Sequence, residues 1–428
     1  MQNKVMVLTL GCHKNLVDSE KLIGTLEKNN INTTEKFEEA QTLIINTCGF
    51  IAPAKQESLE VINRALDLKK QGKVEKVIVS GCLSERYLKE MKNKFKMIDF
   101  ITGVDSIDKI VKYLNPDLKF NLLGERKLLT PKHYAYLKIS EGCNHNCSFC
   151  AIPLIRGKYK SRSLEEIIEE TKYLVNNGIK EINIIAQDST YYGVDLFRKS
   201  RLAVLLDSIS EIENLKWIRI LYAYPLNFPF EILDVMNKKG NICHYLDIPL
   251  QHINTRILKS MKRKMNYEQT SKLIDKIRAT VHNIALRTTF ITGYPGETEA
   301  DFKELYDFVK EKEFDRVGVF TYSHEENTPA YELIDNVPEE IKIERRNRLM
   351  ELQMDISLKK NLNKIGQVLK VIIDDYSEGK YIGRTEFDAP EVDNSVIIKT
   401  EKQLKIGSFI DVKVMDAEPY DLIAELAY

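Results

Sequence analysis

Along the first quarter of the chain, short unbroken apolar runs alternate with longer stretches in which apolar residues recur every three or four positions. KVMVLTLGC, QTLIINTCG and KVIVSGC are runs of aliphatic and β-branched residues. SEKLIGTLEKN, AKQESLEVINRALDLKKQG and SERYLKEMKNKF follow them in turn. Continuous apolar runs suit strands buried on both faces, and their alternation with helices predicts a doubly wound α/β domain over residues 1–115. NPDLKFNLLGERKLLTPKH has no period and carries two prolines, so residues 116–133 are expected to be a linker. A second series begins at Tyr134 with YAYLKIS, EINIIAQ, WIRILYAY, HYLDIPL, IALRTTFIT and RVGVFTY. Helical stretches separate them. One of these, SLEEIIEETKYLVNNG, opens on a capping box at Ser163 and Glu166 and stops at Gly178. Six strands with intervening helices predict an α/β partial (β/α)6 barrel, with its chemistry at the C-terminal strand ends. A charged helix from about Pro338 leads out of it, which completes a domain over 134–362. From residue 363 to 428 the pattern changes to VLKVIIDD, KYIGRTEF, SVIIKT, SFIDVKVMDA and DLIAELA, expected to form a small antiparallel β-barrel.

Charge and composition narrow the function. The 428 residues hold 63 Lys and Arg against 63 Asp and Glu, so the molecule as a whole has no field to draw in nucleic acid. The terminal segment from Asn363 to Tyr428 departs from this balance, with thirteen acidic and eight basic residues, 8 − 13 = −5. A small barrel with that charge is a poor binder of phosphate. No apolar run approaches the roughly 20 residues that span a bilayer. The opening MQNKVMVLTLGC is too short in its apolar part for a secretory signal, so a cytoplasmic protein without membrane contact is expected. Cysteines in that compartment are more often thiols, ligands or catalytic groups than disulfides.

Six of the seven cysteines fall into two sets of three. CNHNCSFC places Cys143, Cys147 and Cys150 in a C-x-x-x-C-x-x-C pattern just after the strand YLKIS. A tight loop of this spacing can put three thiolates on three irons of a 4Fe-4S cluster and leave the fourth iron open. The alternatives are a zinc site completed by His145, or three structural thiols. Cys12, Cys48 and Cys82 each end one of the first three predicted strands, 36 and 34 residues apart. In a parallel α/β sheet those ends share one edge, so distant cysteines would meet there. Cys243 lies inside a strand run and reads as core, and His252 as a structural residue. Gly293, Gly296 and YPGE form a tight turn and no phosphate loop, since no G-K-[ST] follows.

CNHNCSFCAIPLIRGKYKSR resembles the radical S-adenosylmethionine (SAM) signature of methylthiotransferases. LGCHKNLVDSE, NTCGF and SGC resemble that family's auxiliary-cluster domain, and the terminal barrel resembles its TRAM domain. AQDSTYYGVDL, DIPLQHINTRILKSMKR and FITGYPGETEADF are also similar to family segments. The resemblance implies two 4Fe-4S clusters. Cys143, Cys147 and Cys150 would hold one, with SAM on the open iron. Cys12, Cys48 and Cys82 would hold the auxiliary cluster, which carries the sulfur. One electron cleaves SAM to methionine and a 5′-deoxyadenosyl radical, which takes hydrogen from a carbon no side-chain base can deprotonate. A second SAM gives the methyl group, so C–H becomes C–S–CH₃.

SAM contacts are expected from Gln187 and Asp188 after the second barrel strand, Gln251 after the fourth, and Arg287 on the fifth, whose guanidinium suits a carboxylate. Arg156 and Arg162 fall in the family's R-G-x-x-x-S-R stretch and are expected to line the active site. Ordinary loop hydrogen bonding is the alternative for each. LGCHKNLVDSE is similar to the family branch that modifies an aspartate of the twelfth small-subunit ribosomal protein. The branch that modifies tRNA adenosine usually carries a glutamine–methionine pair after the first cysteine. The acidic barrel would attract a basic ribosomal protein and repel tRNA. Further partners implied are a sulfur donor and a low-potential electron donor such as flavodoxin or ferredoxin. A non-catalytic iron–sulfur scaffold or sensor is the reading from another class.

Overall fold

The computed structural model of the protein describes residues 4–116 and 126–427, so part of the expected linker lies outside the described residues. The chain forms two compact units. One comprises residues up to Thr130 with Ser140–Tyr173 and Glu325–Thr328; the other comprises Pro131–Ile139, Leu174–His324 and Pro329–Tyr428. The units therefore cut the chain elsewhere than at residues 115 and 133, because the segment bearing Cys143, Cys147 and Cys150 packs with the amino-terminal residues.

In the first unit, β1 (Val5–Thr9), β2 (Thr42–Thr47), β3 (Lys76–Gly81) and β4 (Phe100–Ile101) form a parallel sheet in that order. Helix α1 (His13–Lys28) follows β1, α2 (Ala52–Lys70) follows β2, α3 (Cys82–Arg86) and α4 (Leu88–Lys94) follow β3, and α5 (Ile107–Leu114) follows β4. Successive strand residues point to opposite faces. Leu43, Ile45, Val77 and Val79 pack against Ile62, Ala65 and Leu66 of α2 and Met91 of α4. Ile44, Ile78 and Val5 pack against Leu22 and Leu26 of α1 and Ile110 and Val111 of α5. Both faces are covered by helices. That is why these strands carry unbroken apolar runs. The chain next gives β5 (Tyr134–Lys138) to the second unit and returns to the first with β6 (Ser140–Glu141) and β7 (Lys160–Ser161), an antiparallel pair. Between them lies α6 (Ile152–Arg156), and α7 (Leu164–Asn176) follows β7.

In the second unit, all six runs read as barrel strands are strands. β8 (Glu181–Ile185), β9 (Trp217–Ile220), β10 (Ile242–Asp247), β11 (Ala285–Thr292) and β12 (Arg316–Thr321) join β5 in one sheet, in the order β12-β11-β10-β9-β8-β5. Every neighbouring pair is parallel. The exit helix Glu339–Leu362 leads to a closed barrel of β13 (Val368–Ser377), β14 (Lys380–Arg384), β15 (Ser395–Ile398), β16 (Phe409–Ala417) and β17 (Asp421–Leu426). The antiparallel expectation needs one correction: β15 and β17 pair in parallel. A closed ring with five strands cannot alternate direction all the way round, so one pairing has to run parallel. Val371, Ile373, Val396, Ile398, Val412, Val414 and Leu422 fill its centre.

Much of this barrel's acidity faces the six-stranded sheet. Arg384 of β14 binds Glu181 of β8 at 2.8 Å and Asp374 of β13 at 2.7 Å, and His133 Nε2 meets Asp374 at 2.7 Å. Arg316 pairs with Asp388, Tyr245 Oη donates to Asp393 at 2.6 Å, and Tyr134 Oη donates to Glu391 at 2.8 Å. Of the thirteen acidic and eight basic residues of this segment, these contacts engage four carboxylates and Arg384. Part of the segment's acidity is thus turned to its own unit.

Candidate active site

The parallel register brings the first three strand ends side by side, with Thr9 opposite Asn46 and Thr47 opposite Gly81. Cys48 directly follows β2, Cys82 is the first residue of α3, and Cys12 caps α1. The three loops are in close contact. A Cβ on Gly11, which has φ +86°, would lie 2.6 Å from Cys48 Cβ and 2.8 Å from its Sγ. Asn15 ties the set together from α1. Its Nδ2 donates to the carbonyls of Leu10 (2.8 Å) and Thr47 (3.1 Å), and its Oδ1 lies 3.6 Å from Cys82 Sγ. Ser58 of α2 clamps Cys48, accepting from its N–H at 3.0 Å and donating to its carbonyl at 2.8 Å. Cys12 is exposed, whereas Cys48 and Cys82 are buried. Burial pushes the Cys48 thiol up and the Cys82 thiol up to about 12, the latter partly opposed by Arg156. Soft thiolates of this kind are the donors of iron–sulfur sites, and binding would displace their protons.

The C-x-x-x-C-x-x-C loop is pinned at both ends. Ser140 pairs with Ser161 and Glu141 with Lys160, so β6 and β7 close its neck. Inside the neck, Cys143 N–H donates to the Gly157 carbonyl at 3.1 Å, and Tyr159 N–H donates to Asn144 Oδ1 at 3.0 Å. Cys150 N–H donates to the Cys147 carbonyl at 3.2 Å, a tight turn between the two last cysteines. His145 gives its backbone N–H to Cys143 Sγ at 3.4 Å. Among the described residues, no three His, Cys, Asp or Glu side chains are drawn together as they would be around a metal ion.

The two cysteine sets are neighbours within this unit. Cys82 packs with Ala151 and Ile155, the residues that follow Cys150 into α6. Arg156 ends that helix, buried, and its Nη2 donates to Asn15 Oδ1 at 2.6 Å. Its other partners are Asp18 at 3.1 Å and Glu141 at 2.9 Å. The arginine expected to line the active site is thus joined through Asn15 to Cys82. Arg162 lies apart from it and pairs with Glu170 at 2.6 Å. Arg126 (2.8 Å) and Lys21 (3.4 Å) share that carboxylate. Against the burial that would raise it, Lys21, Arg126 and Arg162 hold the Glu170 carboxyl well below the usual range.

The remaining expected contacts lie in the second unit. Gln187 follows β8, and both polar atoms of its amide are buried without a hydrogen-bond partner. Asp188 Oδ1 accepts from the N–H groups of Thr190 (2.9 Å) and Tyr191 (3.2 Å), so it caps the turn behind it. Gln251 has φ +72° and is bridged to Phe290 of β11, a left-handed backbone at a strand end where functional sites hold such conformations. Arg287 already has two carboxylates, Asp247 at 3.0 Å and Asp393 at 3.4 Å, so its charge is met within the unit. Asn183 was not legible in the sequence. It lies four residues before Gln187, on the same side of β8 by strand alternation, fully buried with neither amide atom hydrogen-bonded. In EINIIAQ it was one polar residue in an apolar run. Cys243 is fully buried in β10, as read, and burial pushes its thiol up to about 12. Glu297 accepts the Gly293 N–H at 3.1 Å and so closes the YPGE turn.

Residues 137–309 match the radical SAM superfamily, residues 4–103 match the uncharacterized protein family UPF0004, and residues 365–427 match the TRAM domain. The ribosomal protein uS12 methylthiotransferase RimO of Flavobacterium psychrophilum is 49% identical over 427 residues, covering 100% of this chain and 98% of its own. The proteins of the same name from Christiangramia forsetii and Bacteroides thetaiotaomicron are 48% and 47% identical, each covering 99% of this chain and 94% and 98% of their own. The solved structure of the radical SAM methyltransferase TsrM from Kitasatospora setae, with cobalamin and a [4Fe-4S] cluster bound, superposes with a TM-score of 0.55 at 15% identity over 77% of each chain. The cobalamin-dependent SAM radical enzyme OxsB gives 0.52 at 12% identity, over 82% of this chain and 56% of its own. These two share the fold. Full-length identity to relatives of one name, together with the radical SAM and TRAM matches, makes this protein a member of the ribosomal protein uS12 methylthiotransferase family, radical SAM enzymes that use SAM and an iron–sulfur cluster.

Proposed function

We propose that the protein replaces a hydrogen on the β-carbon of an aspartate of ribosomal protein uS12 with a methylthio group, using two 4Fe-4S clusters. The observation that carries this reading is the pair of three-cysteine sets held in one unit, joined through the packing of Cys82 on Ala151 and Ile155. Cys143, Cys147 and Cys150 would hold the cluster that SAM completes; Cys12, Cys48 and Cys82 would hold the auxiliary one. SAM on a reduced cluster supplies a carbon radical able to take hydrogen from an unactivated C–H bond, and a second SAM supplies the methyl group. The chain's own part is to fix the sulfurs and to keep the surroundings dry. Ser58, Asn15 and the β6–β7 neck do the first. Gln187 and Gln251 are the SAM contacts this reading retains, Gln187 for its two unbonded amide atoms. Arg287, Arg156 and Arg162 have carboxylates of this chain for partners.

The protein substrate is favoured over tRNA adenosine by the relatives' names, and by LGCHKNLVDSE after the first strand. The charge of the terminal barrel adds less than its −5 alone suggests, since four of its carboxylates bond within the unit itself. A sulfur donor and a low-potential electron donor such as flavodoxin or ferredoxin complete the reaction, in the cytoplasm where ribosomes are built. The test is a parallel turnover assay without oxygen. Reconstituted protein would receive SAM, a strong reductant and sulfide, with either uS12 or bulk tRNA. Mass spectrometry should show SCH₃ on an aspartyl peptide alone; a modified nucleoside alone would overturn the protein substrate. Absence of 5′-deoxyadenosine in both would favour an iron–sulfur scaffold.

A further inference from the structure

Arg156 is the cation that stands between the two cysteine sets. It ends the helix that begins two residues after Cys150, and it is 6% exposed. Its Nη2 reaches Asn15, whose Oδ1 also lies 3.6 Å from Cys82 Sγ, so one amide oxygen joins the guanidinium to the auxiliary set. Burial pushes the Cys82 thiol up, opposed by the positive charge of the guanidinium. Two carboxylates face it from the other sides: Asp18 of α1 at 3.1 Å and Glu141 of β6 at 2.9 Å. Positive charge and hydrogen bonds at cluster sulfurs stabilise the reduced cluster, which carries more negative charge, and so raise its potential.

We infer that Arg156 is a positioning residue that sets the charge around the auxiliary cluster, with Asp18 as its counterweight, and does not serve as a SAM contact. The inference rests on the two-cluster reading above. The same contacts give it a sign. Removing the cation should lower the auxiliary potential, and neutralising Asp18 should raise it by leaving the cation less compensated.

The test uses the full chain carrying Cys143→Ala, Cys147→Ala and Cys150→Ala, reconstituted without oxygen so that only the auxiliary site can load. Iron is counted, and the midpoint potential is read by an EPR-monitored redox titration. Arg156→Met should shift the midpoint negative, Arg156→Lys should shift it less, and Asp18→Asn should shift it positive. A loaded parent whose midpoint stays put in both Arg156→Met and Asp18→Asn overturns the inference while leaving two clusters intact. A parent that takes up no iron overturns the two-cluster reading, and the inference with it. Should Arg156→Met lose its iron, Asp18→Asn decides alone, since a purely structural role for the ion pair would not move a potential upward.

Discussion

At the scale of single residues, Gln187 has the clearest unmet chemistry in the second unit. A buried amide without partners costs about 1–3 kcal/mol, so the ligand-free protein should gain stability when it is removed. We expect Gln187→Leu to raise the melting temperature of the ligand-free chain and to weaken SAM binding roughly tenfold, the worth of about one hydrogen bond. Calorimetric titration with SAM alongside a thermal melt checks both signs; weakened binding with lowered stability would point to a folding defect instead. The cysteines divide their labour in a similarly testable way. Cys147→Ala should abolish formation of 5′-deoxyadenosine. Cys48→Ala should leave that cleavage and stop methylthio transfer, as measured by product mass. The place of Cys12, Cys48 and Cys82 at neighbouring strand ends was legible in the sequence, because a strand end leaves a mark there. The arginines were not. Arg156 and Arg162 sit six residues apart in one motif, yet one turns to Asn15 and the other to Glu170.

Elements set how close the sulfurs come. Gly11 lets the loop after β1 approach Cys48, and Gly142, with φ +73°, lets the neck of the cysteine loop close. A Cβ there would fall 2.2 Å from the Lys158 carbonyl oxygen. Each glycine guards one cysteine set, so substitution should be selective. Gly11→Ala is expected to lose roughly half of the reconstituted iron while SAM cleavage persists, and Gly142→Ala a similar share together with SAM cleavage. Iron analysis paired with the cleavage assay separates the two; loss of all iron in either would show that the sites do not load independently. The long strands of the first sheet were read correctly from their apolar runs, since both of its faces are covered. The two-residue strands β4, β6 and β7 were not read, and the parallel pairing of β15 with β17 follows from closing five strands into a ring and is not written in any strand.

On the scale of the whole chain, the second unit depends on ion pairs between segments distant in sequence. Glu181 of β8 is fully buried and held by Arg219 at 3.0 Å and Arg384 at 2.8 Å. Burial would raise its carboxyl, but Arg384 and Arg219 keep it below the usual range, and His133 and Arg384 do the same for Asp374. A carboxyl whose folded pKa lies below its unfolded value contributes stability that is present above the unfolded value. That stability is lost as pH falls through the folded one. Unfolding should therefore become easier progressively below about pH 4.5. Glu181→Gln should cost about 3–5 kcal/mol at neutral pH, by leaving two buried guanidiniums undercompensated, and should flatten the acid dependence. Melts across a pH series read both effects, and an unchanged slope would mean that other carboxylates govern acid unfolding.

The sequence by itself determined the long strands, their alternation with helices, the grouping of the cysteines along the chain and the family, because buried faces and short spacings impose local patterns. The tertiary structure alone decided which carboxylate each arginine meets, which amides are left unbonded, and how much of the terminal barrel's acidity is consumed inside its own unit. Those outcomes depend on which residues, far apart along the chain, come within a few ångströms of one another. No short-range pattern in a sequence records that.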